Sequence, residues 1–213
     1  MEENSAASDE RQIKRKSIFL IVLFGLISLL GDVIYEGARS VHGPYLKTLG
    51  ANALIVGFVV GLGEVLGYAI RIISGYLSDK SKLPWLFIIL GYGLLLSIPL
   101  LSLTGIWQMA AFFIVLERVG KGIRAPAKDT ILSHATKQVG TGIGFGFAEL
   151  LDQIGAILGP LIFTLYFFTR ENEITVDDYH AGYQLFWIPY IIMMIIVLIA
   201  FTIVKNPESL EKT

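Results

Sequence analysis

The chain contains two long apolar runs, residues 54–77 and 83–103, separated by a short charged stretch around Asp79, Lys80 and Lys82. Each run is long enough to cross a bilayer, which takes about 20 apolar residues. The charged stretch is too short to form a domain and too polar to remain in lipid, so it predicts a tight turn at a membrane face. Its lysines indicate the cytoplasmic face, because cytoplasmic loops carry an excess of basic residues.

The composition of the chain supports the same interpretation. Hydrophobic residues make up 54% and charged residues 16% of the chain, whereas soluble domains average about 45–50% and about 25%. We therefore expect an all-α integral membrane protein. The net charge of −1 gives no indication of a nucleic-acid partner. Without cysteine, and with three histidines at no metal-ligand spacing, the sequence predicts neither a metal site nor a cofactor.

Six membrane-spanning helices are predicted, over residues 17–45, 54–78, 83–103, 106–130, 141–169 and 183–204. The basic residues that mark cytoplasmic segments are Arg11, Lys14, Arg15, Lys16, Lys80, Lys82, Lys128, Lys137, Lys205 and Lys212. The join at residues 103–105 is nearly uncharged and the one at 170–178 is acidic. The positive-inside rule thus predicts two cytoplasmic tails, a disordered one at 1–16 and another at 205–213, in a protein of the cell membrane. A cleaved secretory signal is the alternative for the N-terminus, but the first apolar run is long and lacks a small-x-small site.

Charged residues occur inside four of the predicted spans and recur at helical spacing. They are Asp32, Glu36 and Arg39 in the first, Glu64 and Arg71 in the second, Glu117, Arg118, Lys121 and Arg124 in the fourth, and Glu149 and Asp152 in the fifth. Ionisable groups at membrane depth are costly and face the bundle interior or water. We therefore expect these four helices to line a polar region, and the third and sixth helices to face lipid only.

These charges have a structural and a functional interpretation. Ion pairs that lock helices together are the simpler interpretation for Glu64, Arg71 and Glu117. Asp32 and Glu36 share one face of the first helix, so the two carboxylates repel each other and form a candidate proton carrier.

Glycine is frequent, with 22 residues, and concentrates in the second and fifth spans. The relevant positions are Gly57, Gly61, Gly63 and Gly67 in the second span, and Gly140, Gly142, Gly144 and Gly146 in the fifth. Small residues allow helix backbones to approach closely in lipid, so these positions predict packing faces.

Three motifs together resemble the major facilitator superfamily. Gly75-x-x-x-Asp79-Lys80 is similar to the family's loop between helices two and three, without its second glycine. Arg118-x-x-x-Gly122 resembles the family pattern in helix four. In helix five, Gly146, Gly155, Gly159 and Pro160 resemble the antiporter motif of drug:proton exporters, although Phe163 and Thr164 replace its closing glycines.

The resemblance covers residues 17–204 and implies one half of the family's fold. In that fold, helices one and four line the central cavity, helices two and five meet the opposite half, and helices three and six lie outside. Family members have about twelve spans in two such halves. The sequence therefore predicts a half-size transporter that acts as a homodimer, with a complementary half or a truncation as the alternatives.

The implied function is secondary transport of a small organic solute by alternating access, coupled to protons, with export as a candidate direction. Candidate residues for binding substrate and protons are Asp32, Glu36, Arg39, Arg118, Lys121, Glu149 and Asp152. Candidate gating and structural residues are Gly75, Asp79, Lys80, Gly122, Gly146, Gly155, Gly159 and Pro160. Asp79 is expected to latch the cytoplasmic side, and the Gly159-Pro160 step to bend helix five.

Two other functions are weighed against transport. An intramembrane enzyme needs a nucleophile or a metal, and the sequence has neither Gly-x-Ser-x-Gly nor His-Glu-x-x-His. A non-transporting six-helix scaffold, or a remnant half that needs a partner half, remains the alternative. It predicts that the charges of the cavity can be replaced without loss of activity.

Overall fold

The computed structural model describes residues 2–170 and 173–210. Met1, residues 171–172 of the predicted outer loop and the tail beyond residue 210, with Lys212, lie outside the described residues.

The described chain forms long helices without strands. In order they are α1 (Glu2–Thr48), α2 (Ala53–Ser81), α3 (Pro84–Leu103), α4 (Trp107–Thr136), α5 (Thr141–Phe168) and α6 (Val176–Ile203). Short 3₁₀ segments interrupt α3 at Leu94–Leu96 and end it at Leu101–Leu103. Helix α6 consists of Val176–Gln184 and Trp187–Ile203.

Five of these helices are long and apolar enough to cross a membrane, which makes the chain a multi-pass membrane protein. The exception is α4, which has 30 residues and therefore sufficient length. It carries six charged residues, Glu117, Arg118, Lys121, Arg124, Lys128 and Asp129, so it does not qualify by apolarity. The prediction of transmembrane helices is confirmed for five of the six, and the crossing of α4 stays a prediction.

The observed helix boundaries correct three sequence predictions. The segment from Glu2 onward, predicted as a disordered tail, continues α1. Most of the charged stretch after Gly75 belongs to the last turns of α2, and the chain turns at Lys82, whose φ of 55° is left-handed. Helix α6 begins at Val176 because Thr175 and Asp178 form a capping box, which turns part of the predicted outer loop into helix.

Helices α1 and α4 occupy the centre of the bundle. Helices α5 and α6 pack on α1, and α2 and α3 pack on α4. Buried aromatic rings join α1, α5 and α6: Tyr183 lies 5.1 Å from Tyr45 and 5.3 Å from Phe163, between ring centroids. The central position of α1 and α4 places their charged faces side by side.

Glycines bring two pairs of helices into backbone contact. A Cβ atom on Gly159 of α5 would stand 2.5 Å from the carbonyl oxygen of Val33 in α1. A Cβ atom on Gly122 of α4 would stand 2.5 Å from the carbonyl oxygen of Gly67 in α2. Gly155 likewise lies against the backbone of Leu29 in α1. Of the predicted packing positions, Gly67 lies in such a backbone contact, and Gly63 and Gly144 contact side chains of α4.

Other glycines of the predicted packing faces have no neighbour within the bundle. A Cβ atom on Gly57, Gly61, Gly142 or Gly146 would meet nothing within 4 Å. Correspondingly, only 11% of the apolar window of α2 and 17% of that of α5 is buried, against 50% for α3. Among the five apolar helices, α2 and α5 are therefore the most exposed in the described bundle.

Candidate functional site

A polar cleft lies between α1, α2, α4 and α5. One part of about 600 Å³, the Tyr35 pocket, is lined by Tyr35, Arg39, Glu64, Gly67, Tyr68, Arg71, Arg118, Lys121, Gly122 and Ala125. The other part of about 720 Å³, the Asp32 pocket, is lined by Ser28, Gly31, Asp32, Arg71, Tyr92, Lys121, Arg124, Ala125, Lys128, Asp129, Glu149 and Asp152. The two pockets adjoin, since Arg71, Lys121 and Ala125 line both.

Ion pairs connect three helices in the Tyr35 pocket. The buried Arg118 of α4 places Nη1 2.9 Å from Oε1 of Glu64 in α2. Arg39 of α1 approaches the same oxygen at 3.6 Å and lies 3.4 Å from Oε1 of Glu36. Glu64 thus forms ion pairs with one cation of α1 and one of α4, and these pairs connect both helices to α2.

The ring of Tyr35 provides a second contact for the cations of this pocket. Nζ of Lys121 lies 3.6 Å from the ring centroid, and Cζ of Arg118 lies 4.8 Å from it. Lys121 also stands 4.0 Å from Oε1 of Glu36. An aromatic face attracts cations electrostatically, so the ring holds two positive charges of α4 against α1.

Behind these groups, Glu117 is fully buried within the bundle. Its Oε2 atom lies 3.6 Å from Nε of Arg118, and neither carboxylate oxygen has a hydrogen-bond partner among the described residues. Arg118 is therefore the only salt-bridge partner of Glu117 in the described part of the chain, which supports the structural interpretation of this carboxylate.

In the Asp32 pocket, two aspartates of different helices face each other. Asp32 of α1 and Asp152 of α5 both line this pocket, and their carboxyl groups lie close enough to interact electrostatically. Lys128 of α4 donates a hydrogen bond to Oγ of Ser28 at 3.0 Å and lies 3.9 Å from Oδ1 of Asp152. One lysine therefore stands beside a pair of carboxyl groups that approach from opposite sides of the pocket.

The structure brings together most of the predicted substrate and proton residues. Asp32, Arg39, Arg118, Lys121, Glu149 and Asp152 line the cleft, and Glu36 joins them through its ion pairs. It does not pair Asp32 with Glu36 as the sequence suggested: Asp32 faces Asp152, whereas Glu36 contacts Arg39 and Lys121. Glu149 accepts a hydrogen bond from Gln153 at 2.8 Å.

Several residues of the Asp32 pocket, among them Lys128, Asp129 and Tyr92, were not among the predicted site residues. Lys128 was assigned to a cytoplasmic join, but it lies inside α4 and reaches α5. Asp129 pairs with Arg71 at 3.6 Å, and Tyr92 belongs to α3, which was expected to face lipid only. The spacing of Lys121, Arg124 and Lys128 at i, i+3 and i+7 was a signal that Lys128 belongs to the same helix face.

Of the predicted gating and structural residues, Gly122 lines the Tyr35 pocket, whereas Gly75, Asp79 and Lys80 lie away from the cleft. Gly75 faces Pro126 of α4, with 3.5 Å from its Cβ position to Cβ of Pro126. Asp79 is exposed and lines a separate pocket of about 560 Å³ with His134 and Glu208. Lys80 lies 5.8 Å above the ring of Tyr76. Helix α5 is continuous through Pro160.

The chain is similar in sequence to known proteins over about two thirds of its length. The chain is 49% identical over 142 residues to an uncharacterized protein of Mycobacterium tuberculosis and to one of Mycobacterium bovis, covering 66% of this chain and 35% of each relative. It is 36% identical over 159 residues to an uncharacterized MFS-type transporter of Methanocaldococcus jannaschii, covering 72% of this chain and 39% of that protein. The chain thus matches little more than a third of the length of these relatives. No solved structure matches it.

The family model described as Major Facilitator Superfamily matches residues 37–213, and this range contains most of the cleft residues of α2, α4 and α5. With most of its length matched, the chain belongs to the major facilitator superfamily.

Proposed function

We propose that this chain provides one six-helix unit of a secondary transporter that moves a small organic solute by alternating access. Its family and the polar cleft between α1, α2, α4 and α5 support transport rather than catalysis. Transporters of this kind bind substrate and coupling ions near the bilayer midplane, between units that rock against each other. We place the protein in the cell membrane with both termini in the cytoplasm, following the basic residues of its tails.

The observation that carries the proposal of proton coupling is the contact between Asp32 and Asp152. Two carboxylates this close in a poorly solvated pocket repel each other, which favours sharing one proton between them. When that proton leaves, two like charges face each other across the pocket, and Lys128 beside Asp152 offsets only part of the repulsion. Since the two aspartates belong to α1 and α5, proton release would favour a change in the packing of these helices.

The predicted gating residues complete this proposal. Asp79 at the exposed end of α2 would meet the facing unit on the cytoplasmic side. The tight contact of Gly159 with α1 would act as the pivot for the movement of α5. Export is the direction that the motif of Gly146, Gly155, Gly159 and Pro160 favours by its resemblance to proton-driven exporters.

A transport experiment with a mixture of candidate solutes tests this function. Proteoliposomes are offered many small organic solutes together under an imposed pH gradient, and mass spectrometry identifies what crosses the membrane. We expect at least one solute to follow the gradient with the unmodified chain and not with Asp32→Asn or Asp152→Asn. Asp177→Asn, which removes an exposed carboxylate at the start of α6, is the matched control. Transport that is insensitive to both cleft variants would refute proton coupling, and the absence of any transport would favour the scaffold.

We further propose that a second six-helix unit, in the form of a second copy of the chain, covers the exposed faces of α2 and α5. These faces carry large apolar side chains, such as Ile73 at 53% and Leu150 at 58% exposure, and the same helices contain the unpacked glycines Gly57 and Gly146. Small residues with apolar neighbours are typical of helix interfaces in lipid. The two-fold contact would pair α2 of one copy with α5 of the other.

The absence of cysteine makes this contact directly testable. Single cysteines in the variants Ile73→Cys and Leu150→Cys are combined in one preparation and oxidised in membranes. We expect a disulfide-linked dimer from this mixture, and none when Leu150→Cys is replaced by Ile191→Cys on the exposed face of α6. A strictly monomeric product in both mixtures would contradict the homodimer and direct the search to a different partner half.

A further inference from the structure

Arg124 is a buried cation of the Asp32 pocket whose hydrogen-bonding capacity is unused. Its exposure is 4%, and its Nη1 atom is buried without a hydrogen-bond partner. In the part of the chain that the structure describes, Arg124 forms no salt bridge, and its Cζ atom lies 4.8 Å from the centroid of the Tyr92 ring. The ring contact orients the guanidinium group but accepts no conventional hydrogen bond in its plane.

The other cations of this pocket have partners within the protein. Arg71 of α2 pairs with Asp129, and Lys128 binds Ser28 and Asp152. Lys121 rests on the ring of Tyr35 and lies 4.0 Å from Glu36. Within the described residues, Arg124 is therefore the pocket cation without a salt-bridge partner, and its Nη1 donor is unused.

The carboxylates around the pocket do not fill this role. Asp32 and Asp152 face each other, and Glu149 is bound by Gln153. Glu117, seven residues earlier on α4, attracts Arg124 electrostatically but makes its salt bridge with Arg118. The carboxylate of Glu117 thus partly balances the charge of Arg124, while no oxygen atom of the described residues accepts a hydrogen bond from its Nη1.

An unpartnered guanidinium group in a buried site is unfavourable, because each unsatisfied donor retains its desolvation penalty. The planar fork of arginine matches the paired oxygens of a carboxylate or phosphate, and such charge-assisted pairs are among the strong hydrogen bonds of proteins. A water molecule would satisfy a donor but would leave the charge unbalanced.

We propose that the transported solute is an organic anion whose carboxylate or phosphate group binds Arg124, with Lys121 as the second cation. This inference rests on the proposed transport function and specifies its substrate class. The anion would lie in the Asp32 pocket, between the cations of α4 and the protonatable pair of Asp32 and Asp152. The charge of the substrate and the charge of the proton would then interact within one pocket, and this interaction would couple substrate binding to protonation.

Ligands of equal shape and different charge test this assignment. The full chain in lipid nanodiscs is heated with benzoate, benzamide or benzamidine, and its tryptophan fluorescence reports the unfolding midpoint. Benzoate is expected to raise the midpoint saturably, whereas the neutral and cationic isosteres leave it unchanged. Phenyl phosphate in the same assay distinguishes a phosphate site from a carboxylate site. If neither anion exceeds benzamide, or if benzamidine equals benzoate, the assignment is overturned.

Substitution of single cations in the pocket tests whether Arg124 is the residue that binds the anion. Arg124→Gln is expected to weaken anion binding by roughly 10- to 100-fold, the equivalent of losing a hydrogen bond to a charged group. Arg71→Gln removes the same charge from the same pocket, but Arg71 is already paired and half exposed, so we expect a change of less than about threefold. An equal loss in both variants would indicate a diffuse positive field and refute a specific contact.

A third variant covers the case in which Arg124→Gln does not fold. Arg124→Lys keeps the positive charge that faces Glu117 and loses the planar fork. We expect it to fold and to bind the anion about tenfold less tightly. Undiminished binding by Arg124→Lys would contradict the forked contact.

The binding and transport experiments test the two proposals independently, so a negative result in one does not decide the other. The nanodisc assay contains no gradient and measures affinity alone. Gradient-driven transport of a solute without benzoate or phenyl phosphate binding would overturn the substrate class and leave the transporter intact. Anion binding at Arg124 without any gradient-driven transport would instead refute the proposed function.

Discussion

The contact between α5 and α1 at Gly159 allows a quantitative test of the helix packing. A Cβ atom at this position would stand 2.5 Å from the carbonyl oxygen of Val33 and 2.6 Å from the amide nitrogen of Gly37, whereas ordinary contact begins at 3.4 Å. Both neighbours are backbone atoms, so no side chain can rotate away. In Gly159→Ala the two helices must separate by roughly 0.5–1 Å, and overpacking of this kind costs about 1–3 kcal/mol.

Gly146→Ala provides the matched control on the same helix. Both glycines belong to the motif that resembles the antiporter pattern, but a Cβ atom on Gly146 meets nothing within 4 Å. Alanine is also the better helix former, by roughly 0.5–1 kcal/mol in water. We therefore expect Gly146→Ala to be as stable as the unmodified chain or slightly more stable.

The free energy of unfolding of both variants can be measured by titration with sodium dodecyl sulfate in mixed micelles. The 3 tryptophans of the chain serve as the fluorescent probes. A destabilisation of Gly159→Ala that exceeds that of Gly146→Ala by at least about 1 kcal/mol supports the packing argument. Equal stabilities, or the reverse order, would refute the close approach of α1 and α5.

Two further substitutions test buried polar contacts by the same titration. The hydroxyl group of Tyr45 lies 2.7 Å from Oγ1 of Thr104 and 3.1 Å from Nε2 of His180. Tyr45→Phe should therefore lower the free energy of unfolding by about 1–2 kcal/mol. Tyr68→Phe, at an exposed position, should lower it by almost nothing. Arg118→Gln removes the salt-bridge partner of fully buried Glu117 and should lose about 3 kcal/mol, because an unpaired charge remains in the bundle. An unchanged unfolding midpoint in either case would contradict the corresponding contact.

Much of the candidate site could be predicted because charged residues in apolar helices are conspicuous. The i, i+4 and i+7 spacing of Asp32, Glu36 and Arg39 predicted one polar face of α1 before any packing was known, and all three residues lie at the cleft. The boundaries were predicted less well where they depend on short local motifs. The capping box of Thr175 and Asp178 extends α6 into a segment whose acidic composition had suggested a loop.

The pairing of charges could not be predicted, because it depends on distances between helices that are remote in sequence. Asp32 and Glu36 were the expected partners by their spacing, but Asp152 is brought to Asp32 by the packing of α5 on α1. The same holds for the glycines: Gly146 and Gly159 share a sequence motif, and of these two only Gly159 touches another backbone.

The sequence by itself determined which segments can enter a membrane and which helices carry charge into it. These properties are local, since the length of an apolar run and the cost of an ionisable group in lipid can be evaluated one helix at a time. Only the tertiary structure decided that α1 and α4 stand at the centre, that Asp32 faces Asp152, and that Nη1 of Arg124 lacks a hydrogen-bond partner among the described residues. These outcomes depend on how glycine-lined helices cross, because a shift of one helix by a single turn, about 5.4 Å, would change every charged pair between that helix and its neighbours.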